Sequence, residues 1–200
     1  MSTVSPKVRN FLVFFFFLPA PSYALGLVEK VQGTYQRMDN FRAEFVQKTK
    51  VEILNRAIEE KGEILFSRPG RFLIHYQGAR ERKYISDGKT LWIYHPREKE
   101  LEVFKNVNKI VTPEALAFLG GLGEMQKEFQ VRERNGSELV LIPKRRGSPF
   151  VRLVLGVDPQ TNLVHEVTLF PKSGNKSHYR FSSIRLNQKV PASTFTPPPK

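Results

Sequence analysis

The chain has 200 residues, 40% of them hydrophobic, which suits one domain with a sizeable core. The absence of cysteine excludes disulfides, thiol catalysis and lipid attachment through a cysteine. The formal net charge of +13 ordinarily suggests a nucleic-acid partner.

The first residues have the pattern of a secretory signal peptide. Lys7 and Arg9 precede an apolar run at 11–18, and Ser22-Tyr23-Ala24 supplies small residues for cleavage. The run is well short of the roughly 20 apolar residues that span a bilayer, which disfavours a membrane anchor. We expect cleavage after Ala24, a mature domain of residues 25–200 and a periplasmic location.

Export makes nucleic acid an unsuitable partner for the positive charge. Two interpretations stay open: attraction to anionic lipid headgroups or an acidic partner, and an ordinary solvated surface.

The first elements after the signal segment are a helix and a strand. Apolar residues recur at helical spacing from Leu27 to Met38, which predicts an amphipathic helix over 26–38. Alternation over 41–48 predicts the first strand. Residues 50–61 are ambiguous, because 51–54 could extend a strand while the charged 56–61 favours a loop.

Two hairpins follow. Strands 62–67 and 72–76 flank Arg68-Pro69-Gly70-Arg71. Asp87-Gly88 predicts a two-residue type I′ turn, which needs positive φ at both central positions. Aromatic residues at alternate positions predict a sheet face that is either filled as a solid core or left as a lipid-sized cavity. The candidate cavity residues are Phe66, Phe72, Ile74, Trp92 and Tyr94.

One segment breaks the β pattern. Thr112 as N-cap, Pro113 at the first helical position and Gly120 after the end predict a short helix over 113–119. It is apolar nearly all round, as expected of a plug or a movable lid. The candidate lid residues are Leu116, Phe118 and Leu119.

Strand patterns resume after this helix with turn signals at short intervals. About ten or eleven strands in sequence predict an antiparallel meander that curls into a barrel or half-barrel. The proline-rich tail 190–199 cannot pair centrally, because proline lacks the donor that a ladder needs.

The sequence shows no nucleophile elbow, glycine-rich phosphate loop or paired histidines at metal-ligand spacing. The four histidines are scattered singly, and Asp87 and Asp158 are explained by turns. We therefore expect no enzymatic activity, no metal and no cofactor.

Several motifs resemble those of the LolA family of periplasmic lipoprotein carriers. They are residues 40–48, Arg68-Pro69 with Phe72, Ser86-Asp-Gly-Lys-Thr-Leu-Trp-Ile-Tyr94, Pro143-Lys144 and Phe195-Thr-Pro-Pro198. The resemblance implies a mainly β fold: an unclosed antiparallel barrel of about eleven strands, covered by an N-terminal helix and short lid helices. It also implies a hydrophobic cavity for lipoprotein acyl chains.

The resemblance further implies two partners besides the acylated lipoproteins: an inner-membrane ABC transporter that loads the carrier and an outer-membrane receptor that unloads it. By the same resemblance, Arg68 holds the lid closed through hydrogen bonds to lid backbone. The chain is expected to act as a monomer. It stops close to the final motif, whereas some family members extend beyond it.

Two rival functions are open from the sequence. The first is a sensor domain of the same fold that binds lipid or a protein regulator without transport. The second is a secreted lipid hydrolase, which needs a nucleophile that the sequence does not show.

Overall fold

The protein is described by a computed structural model that covers residues 26–52, 56–107, 111, 122 and 125–197. Its described strands form one antiparallel sheet in the order β6-β5-β4-β3-β2-β1-β11-β10-β9-β8-β7. The strands are β1 (Asn40–Val51), β2 (Arg56–Ser67), β3 (Arg71–Gln77), β4 (Arg82–Ser86), β5 (Thr90–His95), β6 (Glu100–Lys105), β7 (Phe129–Arg134), β8 (Glu138–Pro143), β9 (Phe150–Val157), β10 (Val164–Pro171) and β11 (Lys176–Leu186).

Consecutive strands are neighbours in the sheet except for β6 and β7, and β1 pairs with the non-consecutive β11. Strands β6 and β7 are the two edges and do not pair with each other, so the barrel is unclosed. The prediction of an unclosed antiparallel barrel with about eleven strands is confirmed.

Helices are few in the described residues. Helix α1 spans Leu27–Gln36, within the predicted 26–38, and the single-turn α2 spans Met125–Glu128. A 3₁₀ helix, Ala192–Phe195, follows the last strand, and its Phe195 is almost fully buried under the Arg71 guanidinium. Within the described ranges, no helix has the length and apolar content needed to cross a bilayer.

The apolar residues of one sheet face, here called the inner face, form two buried clusters. The first lies under α1 and includes Val31 and Tyr35 of the helix with Leu139, Leu141 and Leu155 of the sheet. The second covers the β1–β5 half and includes Phe45, Ile64, Phe66, Phe72 and Leu91. The fully buried sheet residues under helix α1 therefore come from the β7–β10 half of the face.

The structure changes two local predictions. The charged stretch 56–61 is strand, because β2 pairs with β1 over its full length and its polar side chains can point away from the core. The Asp87-Gly88 turn is not type I′, since only Gly88 has positive φ. Instead Asp87 Oδ1 accepts the backbone N–H groups of Lys89 at 2.8 Å and Thr90 at 2.7 Å.

Candidate functional site

An apolar cavity of about 190 Å³ lies on the inner face, between the two buried clusters. Strands from both halves of the sheet contribute its wall. The lining residues are Phe45, Ile64, Ile74, Tyr76, Phe150, Leu153, Val167, Leu169, Tyr179 and Phe181. Every lining side chain is aliphatic or aromatic, so the cavity suits hydrocarbon.

The cavity exists because the sheet curves. Strand β3 supplies Ile74 and β9 supplies Leu153, although β2, β1, β11 and β10 lie between them in the sheet. Adjacent strands are about 4.8 Å apart, so a flat sheet would separate these residues by more than 20 Å. Twist and coiling of the long central strands bring the two halves to face each other.

A glycine shapes one wall of this cavity. Gly62 lies on the inner face of β2, opposite Phe45 and Tyr76 on the flanking strands. A Cβ atom there would meet the His75 carbonyl oxygen and lie 2.6 Å from Cζ of Phe45. The Phe45 ring therefore fills the space that a side chain would occupy.

Aromatic rings form a connected wall. Phe45 meets Tyr76 edge-on with ring centroids 5.1 Å apart, and it lies 6.0 Å from Tyr179. Tyr179 in turn stacks with Phe181 at 6.4 Å. Edge-to-face and offset contacts of this kind are favourable, so they stabilise this arrangement of the wall.

One end of the cavity is polar. The Tyr76 hydroxyl donates to Oε1 of Gln47 at 2.9 Å, and the Gln47 amide donates to Thr49 at 2.8 Å. The Arg82 guanidinium lies 3.8 Å from the Tyr76 ring centroid and is bonded twice to Glu60, at 2.7 and 3.2 Å. The charges at this end are thus paired within the sheet.

Burial raises the pKa of the two phenols in the wall. It raises the pKa of Tyr76 above its ordinary value, and it raises the pKa of Tyr179 well above its ordinary value, with a further contribution from Tyr76 nearby. The wall is neutral at physiological pH and offers no base for catalysis. Among the described residues, no group of three His, Asp or Glu side chains converges as a metal site.

The predicted cavity residues fall into three groups. Ile74 lines the cavity. Phe66 and Phe72 lie on the same face but are packed into the second buried cluster, at 3% and 2% exposure. Trp92 and Tyr94 lie on the outer face, because the register pairs Trp92 with Ile85 and places Leu91 and Ile93 inward. The expectation that Trp92 and Tyr94 face the cavity does not agree with this register.

Arg68 lies at the end of β2 and connects that strand to α1. Its Nε donates to the carbonyl of Met38 at 2.8 Å, and its Nη2 donates to the carbonyl of Tyr35 at 2.9 Å. Both acceptors lie at the carboxyl end of α1, where carbonyls lack helical partners and a cation is favoured. The predicted lid residues Leu116, Phe118 and Leu119, and any contact of Arg68 with segment 113–119, lie outside the described residues.

Sequence reasoning missed most of the wall that comes from β9, β10 and β11. Alternation in these strands was visible, but no local pattern indicates that Leu153 or Val167 faces Ile74 across the sheet. The sequence analysis placed Gly62 at the start of a strand. With β2 extended to Arg56 it lies inside the strand, where a glycine often marks a close approach.

Comparison with known proteins agrees with this architecture. The family model "Outer membrane lipoprotein carrier protein LolA" matches residues 36–198. An outer-membrane lipoprotein carrier protein of Ralstonia nicotianae is 29% identical over 187 residues, covering 88% of this chain and 85% of the relative. The carrier protein of Pseudomonas paraeruginosa is 24% identical over 172 residues, covering 84% of this chain and 82% of the relative.

Solved structures share the fold at low sequence identity. A DUF1329 family protein from Desulfovibrio piger has a TM-score of 0.53 at 13% identity, with coverage of 85% of this chain and 94% of that one. An uncharacterized conserved protein from Thermus thermophilus also has a TM-score of 0.53, at 10% identity, covering 87% and 93%. The family match spans most of the chain, and the fold and the sequence relatives agree with it. The chain therefore belongs to the LolA family of outer membrane lipoprotein carrier proteins, whose members are non-enzymatic chaperones.

Proposed function

We propose that this protein carries lipoproteins through the periplasm from the inner to the outer membrane, with their acyl chains held in the inner-face cavity. The observation that carries the proposal is the cavity itself: ten aliphatic and aromatic side chains enclose about 190 Å³. Membership of the carrier family supports the same cargo. Each buried methylene contributes about 0.8 kcal/mol, so such a wall favours alkyl chains.

The cavity must enlarge to take its cargo. Sites for drug-sized ligands typically enclose about 300–1,000 Å³, and the cavity is smaller than that range. We therefore interpret this arrangement as the closed form. Widening the cavity requires the two halves of the sheet to move apart, or α1 to move away from the sheet.

Arg68 is suited to control that widening. Its hydrogen bonds connect the end of β2 to the end of α1. Strand β2 belongs to the half of the sheet that forms the second buried cluster, whereas α1 packs on the half that forms the first. Charge-assisted hydrogen bonds contribute about 1.5–3 kcal/mol each. Bonds that stabilise the empty form reduce ligand affinity and assist release. In this proposal Arg68 holds the closed form, including a lid at 113–119.

The route of transport follows from the cargo. We propose that the signal segment is removed after Ala24 and that the mature monomer receives lipoproteins from an inner-membrane ABC transporter. It then delivers them to an outer-membrane receptor. A carrier between two membranes needs an affinity between those of its loader and its receptor, since stronger binding would prevent release.

The test is to identify what the native protein holds. The mature protein is purified from the periplasm of the producing cells, extracted with organic solvent and analysed by mass spectrometry. Acylated peptides or whole lipoproteins are the expected cargo, and Ile74→Glu should lose them because a carboxylate is placed in the cavity wall. Free lipid alone, with no acylated protein, would contradict the transport role and favour a lipid-binding sensor.

A further inference from the structure

Two neighbouring hairpins are rich in positively charged residues. Residues 143–152 and 170–176 contain six lysines and arginines but no aspartate or glutamate. These cations, here called the basic rim, are Lys144, Arg145, Arg146, Arg152, Lys172 and Lys176.

The basic rim is one continuous surface. The backbone N–H of Lys172 donates to the carbonyl of Pro149 at 2.8 Å, and its Nζ donates to the carbonyl of Arg146 at 3.4 Å, which joins the two hairpins. The Arg152 guanidinium lies 4.0 Å from the Phe170 ring centroid, and Nζ of Lys176 lies 5.2 Å from it. One cation from β9 and one from β11 therefore lie over the same aromatic ring of β10.

Elsewhere in the sheet, charged side chains form ion pairs. Lys48 pairs with Glu59 at 3.3 Å, and Arg180 pairs with Glu166 at 3.0 Å. Beside the rim, Glu52 is already paired with Lys50 at 3.4 Å. In the part of the chain that the structure describes, no carboxylate lies within ion-pair distance of Arg146, Arg152 or Lys172.

An exposed apolar side chain lies within the rim. Val151, between Phe150 and Arg152, is 51% exposed and is one of two large hydrophobic residues exposed to this degree among those described. Phe150 and Leu169 belong to the cavity wall, and their chain neighbours Val151 and Phe170 lie beside Arg152 of the rim. The same strand ends therefore supply the rim and part of the cavity wall.

We propose that the basic rim docks this protein on a bilayer surface that contains anionic phospholipid, with Val151 entering the headgroup region. Lysines and arginines near such a surface are attracted by its negative potential, which acts over about a Debye length. An exposed apolar residue next to a cation of the rim favours lipid over an acidic protein surface, because it can leave water only where the partner offers hydrocarbon.

Docking through the basic rim places the end of the cavity wall that contains Phe150 and Leu169 close to the membrane. It would shorten the path of acyl chains between bilayer and cavity. The docking itself depends only on the exposed rim, so it is testable without cargo and independently of the transport role.

The experiment measures co-sedimentation of the mature protein with vesicles of equal parts phosphatidylcholine and phosphatidylglycerol, and with pure phosphatidylcholine vesicles. Binding should occur only to the anionic vesicles and should weaken as salt is added. Each cation near an anionic surface is worth roughly a fivefold change in partitioning, so Arg146→Gln with Lys172→Gln and Lys176→Gln should lose on the order of 100-fold.

Matched controls separate the rim from net charge. Lys89→Gln with Lys105→Gln and Lys189→Gln removes the same charge from exposed positions at the other end of the sheet and should lose at most a few-fold. Val151→Ser should weaken binding, whereas Val103→Ser, at 50% exposure on the edge strand β6, should not.

Three results would overturn the proposal. Equal losses in the two triple variants would show that net charge alone acts. Absence of wild-type binding to anionic vesicles would exclude the bilayer as partner. A rim triple variant that binds vesicles like the wild type but fails to bind an acidic periplasmic protein would assign the rim to a protein partner.

Discussion

The guanidinium of Arg68 donates from Nε to the carbonyl oxygen of Met38 at 2.8 Å, which fixes the end of β2 against the end of α1. A second hydrogen bond runs from Nη2 to the carbonyl of Tyr35 at 2.9 Å, so two nitrogens of the guanidinium bind this segment. The planar fork of arginine suits two acceptors that lie side by side. The contact therefore opposes any movement of α1 away from this edge of the inner face.

Arg68→Leu should load lipoprotein normally and release it poorly. The substitution removes both bonds from the closed form, so less free energy is recovered when the cargo leaves. The empty protein should also lose about 1–3 kcal/mol of stability. Transfer of a fluorescent lipoprotein to the purified receptor measures release, and thermal unfolding of the empty protein measures the second effect.

Arg68→Lys is the matched control. Lysine keeps the charge, but its ammonium is a point donor that cannot reproduce the planar fork, so an intermediate release rate is expected. Wild-type release by Arg68→Leu would assign Arg68 to an ordinary structural contact at the helix end.

A charge placed in the cavity should abolish binding of a hydrophobic fluorescent probe. Ile74→Glu introduces a carboxylate into the apolar wall, whereas the control Leu73→Glu changes the preceding residue in β3, whose side chain points to the opposite face. We expect the first variant to lose at least tenfold in probe affinity and the second to keep wild-type affinity. Fluorescence titration measures both.

The single tryptophan adds an internal check to the same titration. Trp92 pairs with Ile85 on the outer face, so its emission should change little when the probe enters the cavity. Strong quenching of Trp92 in step with probe binding would show that the probe occupies another site.

The number of strands and their antiparallel meander were predicted from the sequence, because turn signals and alternation are local. The pairing of β1 with β11, which leaves β6 and β7 as edges, has no local signal and was not predicted. The face of each strand was less secure. The stretch 90–95 alternates aromatic residues with Leu91 and Ile93, so either set could have faced inward. The structure turns the aliphatic set inward, because Leu91 lies opposite Ser86 and Phe104 on the inner face. A shift of one residue in the face assignment exchanges the two sets completely.

The cavity wall could be predicted only in part for a different reason. It depends on how far the sheet curls, which is a property of the whole sheet and not of any one segment. Ile74 was identified because its own hairpin is strongly patterned, while Tyr179 and Phe181 come from a strand that is far away in the chain. Similarly, no local pattern indicates that Arg68 reaches the carbonyls of Tyr35 and Met38, because this contact depends on how α1 packs against the sheet.

Gly62→Ala should distort the cavity. The new Cβ would meet the His75 carbonyl oxygen in the backbone and lie 2.6 Å from the ring of Phe45, so both must shift. We expect a loss of about 1–3 kcal/mol in the free energy of unfolding, together with weaker probe binding. Chemical denaturation and the probe titration measure these two effects.

Gly33→Ala is the matched control for that change. Gly33 lies within α1, where a Cβ would meet only the flexible end of Arg37 at 3.4 Å. Alanine favours the helix, so this variant should gain up to about 1 kcal/mol and bind the probe normally. Equal stability of Gly62→Ala and the wild type would show that Phe45 does not need the space over Gly62.

Alkaline pH should destabilise the protein through Tyr35. The backbone N–H of Val164 donates to the Tyr35 hydroxyl at 3.1 Å, and burial raises the pKa of Tyr35 from 10.0 to about 12. Between these values the unfolded chain releases the proton and the folded chain keeps it. Stability is therefore complete below about pH 10 and falls by roughly 2 to 3 kcal/mol as pH rises to 12.

In Tyr35→Phe the alkaline fall should be shallower, while stability at neutral pH should be about 1–3 kcal/mol lower because the Val164 N–H loses its acceptor. Urea unfolding across this pH range measures both, and parallel pH profiles for the two proteins would exclude Tyr35 as the group responsible.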